Sequence, residues 1–354
     1  MANERSGSTA SSTSRSTQDD KNSDKRAGNA APSEPTDMKK SSWVSVLKRT
    51  LKEFKNDNIS DWAAALTYRG VLALAPAVLV LVAVLGLLGK GTTTTLLNNI
   101  GQLAPGGVHD VLQTLIKNVQ GQKGKAGIAG IVGILLALNS ASSYIAAFMR
   151  ASNAIYEVGE GRPVWKTIPI RLAITLAMVV LILLSAAIVI FTGPIADKVG
   201  SAIGLGHSAV VVWDIAKWPV LILIVGLMLA ILYWAAPNAK QPGFKWVSPG
   251  GILGVVIWVV ASALFAFYVS QFGSYNKTYG SLATVIIFLV WLWITNVAIL
   301  LGAEFNAEMQ HVRAIEAGKP EDAPFAEPRD TKKLDDDAQK KATALENKQT
   351  IDSK

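Results

Sequence analysis

Residues 139–171, NSASSYIAAFMRASNAIYEVGEGRPVWKTIPIR, carry a hydrophobic run that turns polar along one side and then becomes a short basic loop. At about 3.6 residues per turn, Asn139, Ser143, Ala146, Arg150, Asn153 and Glu157 fall close to one line on a helix. The stripe starts inside the apolar segment 128–138. A helix there would carry hydrogen-bonding groups through a low-dielectric medium, where they cost free energy unless partners meet them. Something must face that stripe.

Counting outward between charges identifies the medium. Six intervals lack Asp, Glu, Lys and Arg: 70–89, 126–149, 172–196, 218–239, 246–276 and 278–303, of 20, 24, 25, 22, 31 and 26 residues. Each supplies the roughly 20 apolar residues that cross about 30 Å of hydrocarbon. A soluble core would need six long helices apolar nearly all round, whereas buried soluble helices are shorter and keep a polar face. Half of the residues are hydrophobic and 17% are charged, the charged ones mostly in tails and loops. The expected fold class is therefore all-α: a polytopic membrane protein with six transmembrane helices, one amphipathic external helix and disordered tails.

The expected organisation follows. Residues 1–37, rich in Ser, Thr, Asn and Asp, cannot bury enough surface to fold and read as a disordered tail. Residues 38–61 read as a basic amphipathic juxtamembrane helix, with Trp43, Val46, Leu47, Leu51 and Phe54 on one face and Lys48, Arg49, Lys52 and Lys55 largely opposite. That pattern suits an anionic membrane surface or, alternatively, a short solvated helix. Residues 62–304 form the six-span domain. Its longest connection, 90–125, holds an amphipathic segment at 108–119 that is expected outside the membrane. Residues 305–354 read as a charged tail, mostly disordered. Near the span ends, the loops on the side of both termini carry 14 Lys and Arg against 6 on the other side. That excess places both termini in the cytoplasm. The net charge of +8 belongs to orientation rather than to nucleic acid, and no nucleic-acid partner is expected.

A resemblance enters with two runs: SSYIAAFMRASNAIYEVGEGRPVWKTIPIR at 142–171 and YNKTYGSLATVIIFLVWLWITNVAILLGAEFN at 275–306. Both resemble the signature regions of the YihY/virulence factor BrkB family, and the similarity extends over about residues 57–309. Arg69 and Ala75 depart from the pattern, which suggests another Tyr and a bulky apolar residue there. The resemblance implies a six-span bacterial inner-membrane protein of unsettled biochemistry, proposed in some members to be a transporter or lipid translocator. It also carries an old ribonuclease label. Metal-dependent RNA hydrolysis needs clustered His and carboxylates, but His109, His207 and His311 are far apart, the first two in external loops.

No other enzyme motif appears. With no cysteine, thiol nucleophiles, iron–sulfur clusters and zinc–thiolate sites are excluded. There is no phosphate-binding Gly loop ending in Lys-Ser/Thr and no G-x-S-x-G elbow. The reading is thus a protein without enzymatic activity, metal or cofactor, whose partners are membrane lipids, anionic ones included. Self-association stays open. Two functions compete, a lipid or anionic-solute translocator and a non-transporting scaffold for envelope integrity or resistance.

The candidate site is a polar cluster on the cytoplasmic side: Tyr68, Arg69, Asn139, Ser143, Arg150, Glu157, Asn296 and Glu304. Glu304 is expected to pair with Arg150, leaving Arg69, with Tyr68 and Asn296 nearby, to face a cavity and attract an anionic headgroup or solute. The alternative is that the charges snorkel separately into headgroups.

Overall fold

The computed structural model describes residues 32, 34–87, 126–190, 207–241, 243–246, 248–271 and 281–352. They form eight helices: α1 (Lys40–Asn56), α2 (Ile59–Leu87), α3 (Ala126–Ile155), α4 (Val164–Ile190), α5 (His207–Ala235), α6 (Ser248–Gln271), α7 (Ser281–Glu316) and α8 (Lys332–Asp352). Short 3-10 turns lie at Pro35–Asp37 and Phe244–Trp246. Among the described residues the pairing of Ala239 with Pro328 is an isolated β-bridge outside any strand. The expected external helix at 108–119 lies outside the described residues.

Local chemistry sets the helix ends. Asn58, with φ 52°, breaks α1 from α2, and Asn tolerates this left-handed backbone better than most residues. At the end of α3 the amide of Val158 donates to the Asn153 carbonyl and that of Glu157 to the Ala154 carbonyl. These two bonds make a Schellman stop, with Glu157 in the left-handed position usually given to glycine. Helix α7 stops the same way with glycine: Gly318 has φ 88°, and Gly318 and Lys319 donate back to Ile315 and Ala314.

Helices α2 to α7 form a closed ring. Each packs on the next in chain order, α7 returns to α2, and α7 also touches α3. Their inward faces share one core that includes Leu66, Phe148, Tyr156, Tyr233 and Leu300. The outward faces are also apolar, with Val180, Leu223, Leu264 and Phe267 exposed, which is the pattern of helices solvated by lipid. Four of these helices contain segments long and apolar enough to cross a membrane: Val164–Val189, Val211–Ala235, Pro249–Gln271 and Val285–Glu316. The tightest crossing is between α6 and α7. A Cβ on Gly250 would overlap the Gly302 carbonyl, and one on Gly302 would overlap the Tyr233 hydroxyl and the Gly250 carbonyl. Only glycine lets these backbones approach so closely.

All described loops meet at one end of the ring. Helix α7, 36 residues and so about 54 Å long, outreaches the roughly 30 Å of hydrocarbon and extends past that end. Helix α1 packs against the extension. The stripe expected to lie on lipid divides: Val46 and Trp43 join Phe305, Met309 and Val312 of α7, while Leu47 and Leu51 stay exposed. The C-terminal region also departs from expectation. Residues 317–331 cross the loop end as a strap, burying Phe325 and Ala326, and α8 follows. The ring of Phe325 stacks on His311 at 4.5 Å, and Arg49 on α1 bonds to Glu308, Glu321 and His311. A sequence rich in charge is thereby held by one aromatic side chain and a network of ion pairs.

Candidate functional site

Within the ring lies a cavity of about 380 Å³ to which all six helices contribute, through Gly70, Tyr144, Met178, Met228, Trp258 and Ile299 among others. That volume falls in the range of small-molecule sites, about 300–1,000 Å³. Its few polar wall groups are already bonded. The Tyr144 hydroxyl donates to Asn296 Oδ1 at 2.7 Å, Thr175 to the Arg171 carbonyl at 2.8 Å, and Trp258 Nε1 to Thr295 at 3.1 Å, while Thr295 donates to the Trp291 carbonyl at 2.9 Å. An occupant would find apolar surface and no spare hydrogen-bond partner. The cavity therefore suits a hydrocarbon chain.

Close in sequence to its lining residues are arginines of three helices. Arg69 precedes the lining residue Gly70 on α2, Arg171 lies one turn before the lining residue Thr175 on α4, and Arg150 on α3 is within Coulombic reach of both. Among the described residues none of the three side chains meets a carboxylate or a hydrogen-bond acceptor. Arg171 Nε is buried with no partner. Guanidinium groups stay charged under all physiological conditions, so the three form a local concentration of fixed positive charge.

The expected Glu304–Arg150 pair does not form. Glu304, 1% exposed, lies with its carboxyl group against that of Asp57, and Arg150 is exposed beside the other arginines. The reason is helix order: α7 meets the α1–α2 junction closely, while the end of α3 turns its Arg150 toward α2 and α4. Tyr68 points outward, 65% exposed. Asn296, 1% exposed, donates to Thr67 at 3.0 Å besides accepting from Tyr144, and so ties α7 to α2 and α3 within the core. Asn139 is exposed, Ser143 folds back on the Ser140 carbonyl, and Glu157 is an exposed turn residue. Of the expected cluster, the structure brings Arg69 and Arg150 together and leaves the others to separate tasks.

A family model described as Virulence factor BrkB matches residues 50–326. The chain belongs to that family. The ribonuclease-like protein YfkH of Bacillus subtilis is 28% identical to this BrkB-family chain over 267 residues, covering 75% of it and 94% of YfkH. The UPF0761 membrane protein VV0203 of Vibrio vulnificus is 25% identical, with 77% and 86% covered. The UPF0761 membrane protein MS0032 of Mannheimia succiniciproducens is 24% identical, with 75% and 89% covered. No solved structure matches. The BrkB match contains Asp57, the three arginines, Glu304 and every cavity-lining residue named above. Among the described residues no group of three or more His, Asp or Glu is placed to hold a metal ion.

What faces the polar stripe is a joint that sequence reasoning missed. Asn153 Oδ1 accepts from the Asn238 amide at 2.7 Å, and the Asn238 side chain donates to the carbonyls of Gly159 and Asp330, both at 2.9 Å. Glu160 holds buried Arg162, which also donates to the Ala236 carbonyl at 2.9 Å. Asn238 within the AAPNAK turn after α5 was the available signal, a lone amide in an apolar context.

Proposed function

We propose that this membrane protein translocates an anionic amphiphile, with the hydrocarbon part in the ring cavity and the anionic part against Arg69, Arg150 and Arg171. The observation that carries the reading is the juxtaposition of an apolar cavity with cations that lack counter-ions. In this reading the chain has six spans in a bacterial inner membrane with both termini in the cytoplasm, as the 14-to-6 charge excess supports. The arginines then stand at headgroup depth and the cavity beneath them in the hydrocarbon.

The test is flux of a fluorescent anionic phospholipid in proteoliposomes. Wild type is expected to move it faster than protein-free vesicles, and Ile299→Trp, which fills the cavity, to reduce the rate at least tenfold. A wild-type rate equal to that of empty vesicles would leave the scaffold reading in possession.

A further inference from the structure

Glu304 is almost wholly buried where α7 leaves the ring, and its Oε2 meets no donor. The carboxyl group of Asp57, which caps the end of α1, adjoins it. Two carboxylates offer acceptors only, so this contact closes when a proton sits between them. Among the described residues no cationic side chain takes the proton's place. Arg49, on the same helix as the Asp57 cap, is committed to Glu308, Glu321 and His311, and Arg150 stands with Arg69 and Arg171. The other titratable groups that face the pair are Glu53 of α1, Tyr156 and Glu157 at the end of α3, and Glu308 of α7. Three of these four are carboxyl groups, and each raises the cost of a second negative charge on the pair.

We propose that Asp57 and Glu304 form a proton-binding site, holding one exchangeable proton between the α1–α2 turn and α7. With the proton bound, the first and last helices of the ring are joined. Without it, two adjoining carboxylates share a site that has no counter-charge, and they push α2 from α7. Both helices line the cavity, through Gly70 and Ile299, so proton release would loosen the ring at its loop end. That last link rests on the translocation reading; the proton site itself does not.

Infrared difference spectra of the purified full chain in lipid nanodiscs read the carboxylic acid C=O stretch as pH is raised. Wild type is expected to keep a protonated carboxyl at a pH where ordinary Asp and Glu, with pKa near about 4, have ionised. Glu304→Gln should remove that band, and Asp57→Asn should move its frequency, because the partner in the shared hydrogen bond has changed. If Glu304→Gln fails to fold, the Asp57→Asn shift carries the test. Absence of the band in wild type, or a band unchanged by both substitutions, would overturn the proposal. So would loss of the band on adding sodium ions at fixed pH, which would make the pair a cation site. Lipid flux measured on the same preparations separates the two readings: a chain that shows the band yet moves no lipid keeps its proton site and loses its role as translocator.

Discussion

At one end of the ring stand two clusters of like charge, one of carboxyl groups and one of guanidinium groups. Asp57 and Glu304 face Glu53, Glu157 and Glu308, while Arg150 lies within Coulombic reach of both Arg69 and Arg171. Electrostatics alone would pair them across the bundle, yet helix packing keeps them apart. Their remedies differ because their chemistry differs. A carboxyl group crowded by its own kind takes up a proton, whereas a guanidinium cannot release one and must borrow an anion from outside the chain. On the readings proposed above, the acidic cluster takes the smallest cation and the basic cluster an anionic ligand.

The largest expected effect tests the basic side. Arg171→Glu should weaken binding of an anionic phospholipid by about 10- to 100-fold, the loss of a charge-assisted hydrogen bond plus a reversed charge. Lipid titration followed by native mass spectrometry would read it, and unchanged binding would mean that the arginines serve orientation alone.

A moderate effect tests the acidic side through pH. Burial first, and then the nearby carboxylates, raise the pKa of Asp57 to about 6 against the opposing pull of Glu304. A carboxyl group whose pKa is higher folded than unfolded contributes stability that is present below its unfolded pKa and is lost as pH rises through the folded one. The melting temperature of wild type should therefore fall between about pH 4 and pH 6 by a few degrees, Asp57 being only partly buried, and Asp57→Asn should flatten that fall. A profile that keeps its slope in the variant would assign it to other groups.

The smallest effect is an expected absence of coupling. Were Glu304 and Arg150 a pair, exchanging both charges would restore what each single exchange removes. Since they sit in different clusters, the stability of Arg150→Glu/Glu304→Arg should equal the sum of the single changes within about 0.5 kcal/mol. Recovery of folded protein in the double variant would join the clusters and remove the contrast between them.

The helices were legible because a membrane span is a one-dimensional signal: an apolar run between charges, as at 172–196, has a single interpretation at that length. That Arg69 and Arg150 lie near each other was legible by the same logic, since charge near hydrocarbon is costly and both were placed at one membrane depth. Arg171 was counted only as part of a basic loop. Its importance comes from lying one turn before a cavity residue, which depends on how α4 packs. The Glu304–Arg150 pair was misread because depth in the membrane is readable from sequence, while position around the ring is not. The strap at 317–331 was misread because its charges outnumber its apolar residues, yet Phe325, a lone aromatic in that polar stretch, was the signal that it docks.

That strap also sets an order of assembly. Chains emerge from the ribosome amino end first, so α1 is made when the partners it will clasp, Glu308 and Glu321, are still more than 250 residues away in synthesis. Helices α2 to α6 can insert one after another and find their neighbours in turn. The ring, however, can shut only when α7 arrives beside α2, and the loop end is locked only when residues 317–331 pass beneath it. Maturation of this protein is therefore a last-moment event, and a nascent chain halted a few dozen residues early would be inserted in the membrane but unlatched.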